Sequence, residues 1–119
     1  NPVLITGGAG FIGSNLAHRL LRCGVPVTIL DNLSRPGVRH NLDWLRAGPG
    51  GGDLLRVEVG DVRDPAAVRS AVRDAGFVFH LAGQVAVTTS LADPRTDFDI
   101  NAGGTLTILE ELRSQSNPP

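Results

Sequence analysis

The chain has no tyrosine, and all 11 of its basic residues are arginine, so lysine is absent as well. Chemistry that rests on a tyrosinate or a lysine ammonium is therefore excluded from these residues. The single cysteine, Cys23, has no internal partner; that excludes an internal disulfide and fits a reducing, cytoplasmic setting. Apolar runs extend over only a few residues, so no bilayer span and no membrane partner are expected. The opening residues show no charged segment ahead of an apolar core, and no secretory signal is expected from them. A net charge of -1 leaves no basic excess for nucleic acid and no acidic tail. No metal site is expected.

What the chain does have is one domain's worth of apolar residues. Its 119 residues are 41% hydrophobic, and a chain of this length buries roughly 65% of its unfolded surface. Strand-like and helix-like segments alternate. Val3-Leu4-Ile5 reads as a buried strand, and a helix follows over Gly10–Arg22, with Ile12, Leu16 and Leu20 along one face and Gly13 and Ala17 beside it. Gly24 suits a left-handed cap. Pro26–Leu30 reads as a second strand, then a short helix with Val38, Leu42 and Leu45 as its apolar face and Trp44 alongside. Gly48–Gly52 reads as a flexible surface connection. Leu54–Val59 is a third strand. A further helix starts with Asp64 as cap and Pro65 at its first position and has Val68 and Val72 as its stripe. Phe77–Leu81 is a fourth strand. The last helix spans Asp97–Arg113 with Phe98, Ala102, Thr105, Leu109 and Leu112 in helical spacing. The glycine pair Gly103-Gly104 inside it costs roughly 1 kcal/mol per residue relative to alanine, which implies a close neighbour. The fold class is α/β: a parallel Rossmann-type sheet of order 3-2-1-4 with helices on both faces. A fifth strand is expected where Ser114–Pro119 stands, so the sheet reads as truncated. The unpaired fourth-strand edge and the Phe98–Leu112 segment imply self-association, hence a homo-oligomer.

Chemistry concentrates where strands end. Thr6-Gly7-Gly8-Ala9-Gly10-Phe11-Ile12-Gly13 joins the first strand to the first helix. Glycines in such a turn let the backbone approach a pyrophosphate, and backbone N–H groups at the helix start, those of Phe11 and Ile12, face the anion. Two registers fit: Gly8-x-Gly10-x-x-Gly13, the general dinucleotide fingerprint, and Gly7-x-x-Gly10-x-x-Gly13. Asp31 lies 18 residues beyond Gly13 at the end of the second strand. There a carboxylate accepts from the adenosine ribose hydroxyls and repels a 2′-phosphate, which favours NAD, although Arg35 stands close by. Asp61, with Val62 beside it, either accepts from an adenine amino group or makes an Asx turn at the next helix. His80 is read as a packing histidine rather than a base. Ala82 and Gly83 are small enough to admit the cofactor to the backbone. Thr88, Thr89 and Ser90 either line a sugar pocket or cap a helix.

Taken together, Thr6–Gly13, Asp31-Asn32-Leu33-Ser34, Gly60-Asp61-Val62, His80-Leu81-Ala82-Gly83-Gln84 and Asn101 with Gly103-Gly104-Thr105 resemble the NAD-dependent epimerase/dehydratase family of extended short-chain dehydrogenases/reductases. Asn32-Leu33-Ser34-Arg35, Asn41–Leu45, His80–Ser90 and Asp97–Asn101 are similar to the family's 2-epimerases of CDP-sugars. The resemblance implies an N-terminal NAD-binding half-domain over residues 1–119, with the catalytic and nucleotide-sugar-binding C-terminal portion outside it. It implies a cofactor seat formed by Gly7, Gly10, Phe11, Ile12, Gly13, Asp31, Asn32, Ser34, Arg35, Asp61, Val62, Leu81, Ala82, Gly83, Gln84 and Asn101. The family's base is the tyrosine of a Tyr-x-x-x-Lys motif, which these residues lack, so no catalytic residue is assigned to this chain. The expected activity of the parent is epimerisation through transient hydride transfer to bound NAD, and the isolated half-domain is expected to be inactive. A non-catalytic dinucleotide-binding or redox-sensing module is the alternative.

Overall fold

The structure is a computed structural model that describes residues 1–119. Four strands, β1 (Val3–Thr6), β2 (Val27–Asp31), β3 (Leu55–Val59) and β4 (Phe77–His80), form one parallel sheet of order β3-β2-β1-β4. Between and after them run α1 (Phe11–Arg22), α2 (Val38–Ala47), α3 (Pro65–Val72), α4 (Val87–Ala92), α5 (Pro94–Phe98), a π-helical segment Asp99–Gly103 and α6 (Gly104–Arg113). The expected sheet order and the helices on both faces are borne out. Thr6 pairs in register with Leu30 on one side and His80 on the other, so the C-terminal ends of β1, β2 and β4 are level.

Alternation along the strands divides the core in two. Ile5, Val27 and Ile29 point to one face and pack with Ala17 and Leu21 of α1 and Val38, Leu42 and Leu45 of α2. Leu4 and Leu30 point to the other and pack with Val68, Ala71 and Val72 of α3 and Ile108 of α6. Each such Leu, Ile or Val contributes about 1.5–3 kcal/mol on full burial, so short four- and five-residue strands suffice. Asp64 caps α3 as expected, its Oδ1 accepting from Ala66 N–H at 3.0 Å with Pro65 at the first helical position. No helix is long and apolar enough to cross a membrane.

Several expectations are corrected. On α1 the buried residues are Gly13, Ser14, Ala17 and Leu21, whereas Ile12 is 69% exposed and Leu16 and Leu20 are half-buried. The small side chains let the helix close on the glycine turn, and the bulkier stripe is rotated aside. Gly48–Gly52 is the surface connection expected, with Pro49 and Gly52 exposed, but Gly51 within it is buried against the carbonyls of Leu45 and Arg46, leaving no room for a Cβ. Thr88–Ser90 lie in α4, and the Ser90 hydroxyl donates to Val87 C=O at 2.7 Å inside that helix instead of capping one.

The largest correction concerns the last helix, which is three pieces. The π segment inserts an extra residue per turn and shifts the helical phase. The face beyond it buries Gly104, Ile108 and Glu111, while Phe98 is 66% exposed and Leu109 is also exposed. Glu111 is tolerated there because Arg69 of α3 grips it with two hydrogen bonds, at 2.9 and 3.1 Å. The close neighbour implied by the glycine pair is real at Gly104, where a Cβ would stand 2.7 Å from Val62 Cγ2. Gly104→Ala is therefore expected to lower unfolding stability by about 1–3 kcal/mol through overpacking. The loss should shrink in a Val62→Ala background; equal losses in both backgrounds, by urea denaturation, would disprove the contact's role.

Candidate functional site

A cavity of about 390 Å³ opens at the C-terminal ends of the strands, where β1 lies between β2 and β4 and the chain order reverses. Ligands enter α/β sheets at this reversal. Its floor is the glycine turn, one wall is the segment after β2, and the opposite wall is the segment after β4.

The glycines of the turn have separate reasons to be glycine. Gly7 has φ +67, and a Cβ on it would stand 2.8 Å from Ala82 N. At Gly13 a Cβ would collide with the Gly7 carbonyl oxygen, and it would stand 2.7 Å from Gly8 Cα. Gly8 is blocked by Ile29 at 2.6 Å and does not line the cavity. Gly10 is the least crowded: its backbone is extended, and the only atom near a built Cβ is the Gly7 oxygen at 3.3 Å. Of the two registers, Gly7-x-x-Gly10-x-x-Gly13 is the one that faces the cavity.

Gly10 caps α1 without a side chain, and the first turn holds no acidic residue. The N–H groups at the start of the helix thus lack a side-chain partner, and the helix start presents partial positive charge to the cavity. Phe11 and Ile12 flank it, Phe11 being 82% exposed.

The turn is clamped from β2 and α2. The Asp31 carboxylate accepts from Ala9 N–H at 3.1 Å through Oδ2 and from Leu33 N–H at 2.8 Å through Oδ1. Each oxygen retains a lone pair for a further donor. Asn41 of α2 donates to the Ala9 carbonyl at 2.7 Å. Asn32 Oδ1 holds Ser34 N–H at 3.1 Å, and Asn32, Ser34 and Arg35 complete this wall. Leu33 takes a left-handed φ of 59, a strained conformation for leucine that the Asp31 bond to its N–H secures.

The Asx turn expected as one reading of Asp61 is present: Oδ1 accepts from Arg63 N–H at 2.8 Å. Arg63 also grips the carboxylate through Nε at 3.0 Å and Nη2 at 2.7 Å. The Arg63 side-chain hydrogen bond holds the Asp61 carboxyl below its ordinary range, with the Arg63 backbone N–H and positive charge in support. Asp61 and Val62 line the cavity; Arg63, which sequence reasoning did not single out, holds Asp61 from outside.

The β4 wall is built by hydrogen bonds that sequence reasoning also missed. Thr6 Oγ1 accepts from Leu81 and Ala82 N–H, both at 3.1 Å. Asn101 clasps Gln84 in both directions, accepting from its N–H at 2.7 Å and donating to its carbonyl at 3.1 Å. Leu81, Ala82, Gly83 and Gln84 thereby face the cavity, with Thr89 and Ile100 beyond them. Asn101 itself does not line the cavity; it stands one layer behind, and it is the only member of the expected cofactor seat so placed. Gly83 is glycine because of it, since a Cβ would lie 2.9 Å from Asn101 Oδ1. His80 packs as expected, half-buried, with both ring nitrogens bonded to threonine hydroxyls. Gln84 Oε1 is buried without a partner, an acceptor that a ligand donor would satisfy.

Because the folded Asp61 carboxyl is depressed, its contribution to stability is complete above the ordinary value of 3.8 and is lost as pH falls through the depressed value. Arg63→Ala is expected to return the Asp61 titration to the ordinary range and to raise the midpoint of acid unfolding. Carbon-13 carboxyl NMR reads the titration; an unmoved Asp61 would show that Arg63 does not hold it.

Comparison with known proteins agrees with this fold. Residues 4–118 match the family model described as GDP-mannose 4,6 dehydratase. CDP-paratose 2-epimerase of Salmonella typhi is 44% identical over 117 residues, 97% of this chain and 33% of that protein. dTDP-glucose 4,6-dehydratase of Mycolicibacterium smegmatis is 39% identical over 93% of this chain and 32% of that protein. Among solved structures, the Thermus thermophilus UDP-glucose 4-epimerase complex with NAD has a TM-score of 0.78 at 40% identity, covering 95% of this chain and 34% of that one. The epimerase Mth375 of Methanothermobacter thermautotrophicus has a TM-score of 0.81 at 35% identity, covering 93% of this chain and 31% of that one. The chain spans about a third of the length of the curated relatives it matches. By its match over nearly every residue, and by a fold that superimposes on epimerases, the chain belongs to the GDP-mannose 4,6-dehydratase family.

Proposed function

We propose that residues 1–119 are the NAD-binding half-domain of a nucleotide-sugar epimerase or dehydratase, and that the parent enzyme 2-epimerises a CDP-linked sugar. The observation that carries the cofactor reading is the uncapped start of α1 facing the cavity across from Asp31. The match to CDP-paratose 2-epimerase supports the CDP-sugar. NAD, when bound, supplies a hydride acceptor that can return the hydride.

The residues present fit such a cofactor. Gly10 leaves a space that a Cβ would fill, beside N–H groups that suit a pyrophosphate. Gly7 and Gly13 shape that turn, and Phe11 and Ile12 donate from it. Asp31, with Asn32, Ser34 and Arg35 on the same wall, receives the adenosine ribose. Its negative charge opposes a 2′-phosphate. Asp61 and Val62 hold the adenine edge. Leu81, Ala82, Gly83 and Gln84 form the nicotinamide side, where the unpartnered Gln84 Oε1 accepts from a ligand donor. Asn101 positions that wall without touching the cofactor. No tyrosine or lysine is available here, so the chain binds and orients while the hydroxyl proton is handled elsewhere in the parent. The parent is proposed to be cytoplasmic and homo-oligomeric; in residues 1–119 taken alone, Phe98, Leu106 and Leu109 are exposed.

Calorimetric titration of the parent protein tests the reading. NAD is expected to bind more tightly than NADP, and Asp31→Ala to weaken NAD about tenfold or more while narrowing the gap. Tighter binding of NADP to the native protein would overturn the role of Asp31. Turnover of a CDP-linked sugar with transient reduction of the nicotinamide would support the substrate; turnover of other nucleotide sugars alone would refute it.

A further inference from the structure

His80 joins three elements at the rim of the cavity. Its Nδ1 lies 2.7 Å from Thr6 Oγ1 of β1, and its Nε2 lies 3.0 Å from Thr105 Oγ1 of α6. The directions of these bonds follow from counting donors. Thr6 Oγ1 already accepts two N–H groups, that of Ala82 and that of Leu81, the latter shared with the Thr6 carbonyl at 3.1 Å. A hydroxyl has two acceptor sites and one proton, so that proton goes to His80 Nδ1. Nδ1 is therefore the unprotonated nitrogen, and Nε2 carries the ring proton and donates to Thr105. Thr105 in turn donates to Asn101 C=O at 2.6 Å, and Asn101 clasps Gln84. Every group in this column has one consistent role, and both ends of it hold the segment Leu81–Gln84.

We infer that His80, as the neutral Nε2–H tautomer, is a positioning residue that sets the Leu81–Gln84 wall of the cofactor cavity by ordering Thr6 at one end and Thr105–Asn101 at the other. The inference rests on the cofactor reading for its consequence in binding, but not for its geometry.

Protonation breaks the column. With a proton on Nδ1, Thr6 Oγ1 faces a third donor, so Leu81 N–H falls back on the Thr6 carbonyl alone or Ala82 N–H is released. Burial makes that protonation unfavourable and pushes the His80 pKa below the ordinary histidine range. The column then persists at neutral pH and is lost as pH falls through the depressed value. The charged groups on the elements packed against this face are Arg95 and Asp97 of α5, Asp99 of the π segment, Glu110, Glu111 and Arg113 of α6, Arg69 of α3 and the Asp61–Arg63 pair. None is bonded to the ring, and Asp97 meets the network only through Asn101, at 3.3 Å.

The test uses the parent protein labelled with nitrogen-15 at histidine, the His80 signals being assigned by their loss in His80→Asn. Asparagine keeps an acceptor toward Thr6; His80→Phe keeps the bulk and removes every bond. At neutral pH the native ring is expected to be neutral with its proton on Nε2. His80→Phe is expected to speed amide exchange at Ala82, whose N–H depends on Thr6 Oγ1 alone, and to weaken NAD about tenfold. His80→Asn should stay within about threefold of native and lose the acid-side fall in NAD affinity that the native protein shows. A cationic ring or a proton on Nδ1 at neutral pH overturns the inference. So does native-like exchange and affinity in His80→Phe, or an acid step that survives in His80→Asn. Failure of the native protein to bind any dinucleotide would sink the cofactor reading alone, and the tautomer and exchange rates would still decide the role of His80.

Discussion

The close approach of α1 to the end of β1 is the constraint from which the site follows. Gly13 sits against the Gly7 carbonyl and the Gly8 backbone with no space for a side chain between them. That contact fixes the helix start over the sheet edge and leaves its N–H groups facing the cavity. It also brings Ala9 within reach of Asp31 from β2 and Asn41 from α2. A larger residue at Gly13 would lift the helix, and the clamps would lose their partner together. The turn is thus held in place by packing and locked by a carboxylate, with its free N–H groups turned to the cavity.

The opposite wall depends on the sheet register. Parallel pairing sets Thr6 level with His80, which puts the hydroxyl under the first residues beyond β4. The π segment makes the second attachment. Its Asn101 faces Gln84, and Gly104, which follows at the start of α6, lies on Val62. One irregular turn therefore serves both the packing of α6 and the shape of the cavity. A regular α-helix through the same residues would turn one of these faces away.

The fold is legible in the chain because its signals are local or periodic: β-branched runs, the Asp64-Pro65 helix start, the glycine turn and the Val38, Leu42, Leu45 face all lie where pattern places them. The cavity-lining residues are legible because they follow strand ends in order. What escapes is what depends on contacts distant in sequence. The stripe on α1 misleads because its buried face is made of small residues, and hydropathy favours Ile12, which stands exposed at the site. The break at Asp99–Gly103 has no hydropathy signature; its one trace is the Gly103-Gly104 pair. Thr6 and Thr105 act through hydrogen bonds to β4 and the residues after it, which no neighbouring motif announces, while Arg63 is local to Asp61 but belongs to no pattern that marks its grip. Asn101 is legible as a landmark, but its place behind the wall needs coordinates.

The glycines of the turn divide into those the fold leaves no room to replace and Gly10, whose role we propose is toward a ligand. Gly10→Ala tests this division most directly, measured by thermal unfolding and by NAD titration of the same sample. The predicted melting temperature is close to native, since the extended backbone at Gly10 suits alanine and only the Gly7 oxygen is near. The predicted loss of NAD affinity is at least about tenfold. Native-like NAD binding by Gly10→Ala would contradict the division.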